Sequence, residues 1–116
     1  MKNTVVYIQD GEKKIPMVFN LNVMEEIQEQ YGSLDAWGEA TQGNGEPKIK
    51  DLKVGIMAMI NEGIEIENEE NGTNEPTVNE RQLGRIMSRV GIDVIVKKIQ
   101  EITIASTKTD GEGKNE

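Results

Sequence analysis

The longest apolar run in the chain is VGIMAMI, Val54 to Ile60, and the spacing around it predicts a helix from about Lys50 to Gly63. Leu52, Ile56, Met59, Ile60 and Gly63 share one face, and Val54, Met57 and Ala58 carry apolar character round to the other. A helix apolar on almost every side is covered on several sides. This one therefore stands at the centre of a bundle or in a contact between subunits. The run is also far shorter than the roughly 20 residues that cross a bilayer, so no membrane partner is expected.

Upstream, TVVYIQDGEKKIPMVFN reads as a β-hairpin over residues 4–19. Val6 and Ile8 alternate with Val5 and Tyr7, and Asp10-Gly11 supplies the positive φ of a tight turn. Pro16 cannot donate to a ladder, so either the return strand is an edge or Pro16 turns its missing N–H to solvent. Helices follow over residues 20–104. Asn20 or Asn22 caps the first, whose apolar positions are Leu21, Met24, Ile27 and Tyr31; Gly32 ends it, and Ser33 caps a short second helix holding Leu34 and Trp37. Gln42 to Pro47 reads as a loop. Past Gly63, the segment NEGIEIENEENGTNEP carries six glutamates and no basic residue, and reads as a solvated loop. Thr77 to Glu80 offers a capping box for a fourth helix with Leu83, Ile86, Met87 and Val90 on its apolar face, and a fifth starts near Ile92. Residues 107–116 have the composition of a disordered tail. The expected fold is mainly α within the α+β class: one domain over residues 1–106, of four or five helices with an N-terminal hairpin.

Composition narrows the chemistry. There is no histidine and no cysteine among the 116 residues, so the commonest general base, zinc ligands, disulfides and the usual nucleophilic triads are all missing. No catalytic residues, cofactor or metal are expected. The lack of cysteine fits an intracellular setting. A formal charge of −8 argues against nucleic acid as the main partner, because phosphate binding rests on Lys and Arg. By elimination the chain is a binding or assembly protein rather than an enzyme.

Three features remain as candidate sites. Laying the calcium-loop pattern on Glu67 brings Glu69, Asn71 and Gly72 into place but puts Val78 where a bidentate glutamate is required, so a solvated acidic segment is the simpler reading. Arg81, Arg85 and Arg89 recur every four residues, and with Lys97 and Lys98 they give residues 77–102 the look of a helix-turn-helix with Gly91 at its turn. The same row also describes a solvated helix face or a contact for an acidic protein. The four aromatics are Tyr7, Phe19, Tyr31 and Trp37. The preferred reading is that Phe19, Tyr31 and Trp37 pin the hairpin to the first two helices; the competing one makes Tyr31 and Trp37 interface anchors. Together with Val54, Met57, Met59 and Ile60 these two form the candidate surface for partner binding or self-association.

IPMVFNLNVMEEIQEQYGSLDAWGE (Ile15 to Glu39), LKVGIMAMINEG (Leu52 to Gly63) and PTVNERQLGRIM (Pro76 to Met87) together resemble the small tail assembly chaperones of long-tailed bacteriophages and prophages, over roughly Ile15 to Ile102. The resemblance rests on apolar spacing and on a tryptophan shortly after the first helix. It implies a non-enzymatic role in the bacterial host cytoplasm during virion morphogenesis: binding the long helical tape measure protein, keeping it soluble, and helping to recruit tail tube protein. It further implies a short form ending in the charged tail after Ser106. A homo-oligomer is expected separately, through the apolar third helix. The rival functions are an intracellular helix-turn-helix regulator and a structural tail component retained in the virion.

Overall fold

The computed structural model describes residues 5–42 and 48–102. The order of elements is β1 (Val5–Asp10), β2 (Lys13–Val18), α1 (Leu21–Tyr31), α2 (Leu34–Gln42), α3 (Ile49–Asn71) and α4 (Glu80–Val90), followed by α5 over residues 92–102. The fold is thus helical with an N-terminal antiparallel hairpin. The expected hairpin residue 4, the loop after Gln42, the helix end beyond 102 and the tail over 107–116 lie outside the described residues.

The hairpin pairs Val6 with Met17 and Ile8 with Ile15, so these four side chains share one face, and all are buried. Gly11 makes the turn at φ 65°. On the opposite face Pro16 and Val18 of β2 are buried too, because α3 lies against that strand. The approach is close: a Cβ on Gly63 would sit 3.0 Å from the Pro16 carbonyl oxygen. Pro16 pairs with Tyr7 and has no N–H to leave unpaired, and the helix covers the strand beside it.

Asn20 caps α1, accepting a hydrogen bond from the Val23 amide at 3.2 Å. With that phase Val23 and Ile27 turn inward. Leu21, expected on the apolar face, is the first helical residue and stands 68% exposed. Ser33 Oγ accepts from the Ala36 amide at the start of α2.

The largest departure from the sequence reading is α3. It does not stop at Gly63 but continues to Asn71, 23 residues in all, and most of the acid-rich segment is helix rather than loop. Gly63 keeps helical geometry and serves as the contact with β2. The C-cap is Gly72, left-handed at φ 66°, whose amide bonds the Asn68 carbonyl. Two asparagines seven residues apart on α3 then hold the returning chain. Asn61 donates from Nδ2 to the Val78 carbonyl (3.1 Å) and accepts from the Val78 amide (2.8 Å). Asn68 makes the same pair of bonds to the Glu75 backbone, both at 3.0 Å. Because Val78 is held in this way, the next helix begins later than the sequence indicated. Its capping box is Asn79 with Gln82 rather than Thr77 with Glu80. Asn61→Ala leaves a half-buried amide and carbonyl without protein partners and should cost about 1–3 kcal/mol. Chemical denaturation measures that cost, and faster hydrogen exchange at the Val78 amide locates it.

The core lies between the hairpin's inner face and the helices. Ile27, Ile56, Met59, Ile60, Leu83, Ile95 and Ile102 are fully enclosed in it. Among the described residues, no helix is long and apolar enough to cross a membrane.

Candidate partner-binding groove

Asp51, in the first turn of α3, gathers the aromatic side chains of the two preceding helices. The Tyr31 hydroxyl donates to its carboxylate at 2.5 Å, and the Trp37 indole N–H donates to its backbone carbonyl at 2.9 Å. The indole lies flat on Gly55, where a Cβ would overlap the ring. Trp37 and Phe19 are buried and Tyr31 is half-buried. Tyr31 and Trp37 therefore fasten α1 and α2 to α3, where the sequence reading had them pinning the hairpin to the first two helices, and little of the Trp37 surface is open to a partner.

Burial first, and then the hydrogen bond to the Asp51 carboxylate, push the Tyr31 phenol up to about 12 from an ordinary value of 10.0. A phenol whose folded value is raised favours its neutral form in the fold. Its stabilisation is complete below pH 10 and fades as pH climbs from 10 towards 12. Alkaline denaturation of the wild type should therefore lose of order 1 kcal/mol across that window, after allowance for solvent screening, relative to Tyr31→Phe.

Met59 and Ile60, placed by sequence on a partner surface, are both 0% exposed. They belong to the core, together with Leu52, Ile56 and Gly63 on the inward face of α3. Val54 and Met57 lie on its other side. With Ala58 and Asn61 they follow the spacing i, i+3, i+4, i+7 that makes one helical face, and all four are only half-buried. They floor an open groove of about 660 Å³ that runs along α3 between α1 and the start of α4. The apolar character of α3 on two sides thus has two outcomes, one side packed and the other left as this floor.

Carboxylates dominate the groove's rim. Glu25 and Glu26 stand on the α1 wall, Glu80 on the α4 wall, and Glu62 and Glu65 towards one end, against Lys50 and Lys53 at the other. Glu62 is held in place by the side-chain amides of Asn20 (2.8 Å) and Asn22 (3.0 Å). Such a surface binds through burial of apolar groups and through ion pairing. The sequence placed Ala58 on the second apolar face of α3 but did not assign it, Glu25, Glu26 or Glu80 to a site. The signal for the floor is the second apolar face of α3, which becomes a site only because α1 and α4 leave it uncovered.

One member of the basic row is tied to the hairpin. Arg89 makes a two-pronged bond to Asp10 at the hairpin turn, Nε to Oδ1 at 3.1 Å and the second guanidinium nitrogen to Oδ2 at 2.8 Å. That hydrogen bond holds the Asp10 carboxyl below the usual carboxylate range and raises Arg89 in turn. Arg81 and Arg85 are exposed on α4. All three arginines line a shallow depression of about 1000 Å³ beside Ile49 and Lys53. A single residue, Gly91, separates α4 from α5.

Glu67, Glu69 and Asn71, the positions of the calcium pattern, lie on the continuous helix α3, and Glu67 accepts from the Tyr7 hydroxyl at 2.7 Å. Among the described residues there is no cluster of three or more side chains able to hold a metal ion.

No protein-family model matches the chain, and no curated protein or solved structure matches it either.

Proposed function

We propose that the protein is a non-enzymatic tail assembly chaperone of a phage or prophage, acting in the host cytoplasm. It binds the tape measure protein, keeps it soluble and helps to recruit tail tube protein. The observation that carries the reading is the open groove on α3, apolar at Val54, Met57 and Ala58 and edged by carboxylates. A long helical client exposes apolar stripes along its helices, and a groove of this kind receives such a stripe. The −8 charge of the chaperone would keep the pair dissolved. The sequence resemblance supplies the identity of the client. Self-association belongs to the same reading. It would have to use Val54 and Met57, since Met59 and Ile60 are enclosed.

Co-expression with a tape measure protein from the same phage or prophage tests this function. The client should be insoluble alone, and should become soluble and co-purify when the chaperone is present. A client that ignores the protein overturns the reading. Purified particles, analysed by mass spectrometry, should lack the protein, whereas a retained tail component would be found in them.

A further inference from the structure

We propose that the occupant of the α3 groove is a basic amphipathic helix, one whose apolar stripe is flanked by lysine or arginine. The proposal rests on the groove being the client site, and it specifies the client's chemistry. Length comes first. From Lys50 to Glu65 the groove follows α3 for about 22 Å, which matches a partner helix of some 15 residues. The floor takes side chains rather than backbone. Val54, Met57 and Ala58 are apolar, and Met57 is unbranched and adaptable, so it conforms to stripes of differing shape.

Charge then decides the flanks. A helix seated on the floor has Glu25 and Glu26 along one side, Glu80 along the other, and Glu65 towards one end. Lysine or arginine beside its apolar stripe meets these carboxylates, whereas glutamate there meets like charge on both walls. Like-charge juxtaposition across an interface excludes wrong partners more effectively than matched pairs add affinity. Lys50 and Lys53 oppose this preference only at the end nearest the start of α3. A second copy of this chain fits less well through its own basic helix. Around Arg81 and Arg85 the outer positions of α4 are Gln82 and Ser88, which offer no apolar stripe for the floor.

The test uses two fluorescently labelled 16-residue helical peptides with the same leucine-alanine stripe, one flanked by lysine and the other by glutamate. Binding to the full chain is followed by anisotropy at low and high salt. The lysine peptide should bind at least ~10-fold more tightly than the glutamate peptide at low salt, with the gap narrowing as salt rises. The paired change Glu25→Lys with Glu26→Lys should erase or invert the preference. Met57→Asp, and separately Ala58→Gln, should weaken the lysine peptide ~10-fold or more, with circular dichroism confirming that each variant is folded. Arg81→Glu should leave binding unchanged. Equal affinity for the two peptides overturns the proposal, and so does lysine-peptide binding indifferent to both floor variants, which would mean charge attraction alone. A wild-type dimer that Met57→Asp converts to monomer, with no peptide bound by either, also overturns it in favour of self-association. If the lysine peptide binds as expected but the tape measure protein is not solubilised, the groove's chemistry stands and the phage assignment falls. If that client is solubilised equally well by Met57→Asp, the assignment stands and the groove proposal falls.

Discussion

Ile60→Asp should abolish folding, with circular dichroism showing a largely unfolded chain at room temperature and no cooperative thermal transition. Ile60 is 0% exposed and sits with Met59, Ile56 and Leu83 in the enclosed core. The substitution forfeits about 2–3 kcal/mol of apolar burial. It also places a carboxylate where the neighbouring side chains have nothing to offer it, which adds several kcal/mol more. A total of at least ~5 kcal/mol is comparable with the whole stability of a domain this size. Met59→Asp should behave alike. Met57→Asp is the informative contrast, because Met57 sits only two residues from Met59 yet lies half-exposed on the groove floor. It should remain folded, with a loss of no more than about 1–2 kcal/mol.

Gly55→Ala should lower stability by about 1–2 kcal/mol, read as a shift in the denaturation midpoint. Helix propensity alone predicts the opposite sign, since alanine is favoured over glycine inside a helix by about 1 kcal/mol. Here the added Cβ would overlap three ring atoms of Trp37. The ring cannot swing aside freely, because its N–H is bonded to the Asp51 carbonyl. Relief requires either losing that bond, about 1 kcal/mol, or shifting α2 away from α3, with the usual cost of overpacking. The clash outweighs the propensity gain. Gly38→Ala in α2 separates the two effects, since a Cβ there meets nothing within 4 Å. That change should be stabilising by up to about 1 kcal/mol.

Where local chemistry determines structure, the sequence was readable. The Gly11 turn, the alternation of Val6 and Ile8, the Asn20 cap, the Gly32 stop and the Gly91 break all depend on near neighbours. The helix α3 was misread because its second half is fixed by partners distant in sequence. Glycine at 63 resembles a stop until β2 is seen pressed against it, and the run of glutamates looks like a loop until Asn61 and Asn68 are seen holding residues 75 and 78. The Thr77 capping box failed for the same reason, since the Val78 backbone was already engaged. At the candidate site, periodicity identified both apolar faces of α3 but could not say which would be covered. It therefore grouped the enclosed Met59 and Ile60 with the open Val54 and Met57. Arg89 likewise looked equivalent to Arg81 and Arg85 until the hairpin turn supplied Asp10.

If a helical client seats on the uncovered face of α3, the methionines report it directly. The chain has six. Met17, Met59 and Met87 are buried in the core, and Met57 lies on the groove floor. Labelling the methionine methyl groups with carbon-13 and titrating with client gives one NMR signal for each. The Met57 signal should move on binding while Met17, Met59 and Met87 stay in place. A client that binds with Met57 unmoved, or that shifts the core methionines instead, would contradict that seating.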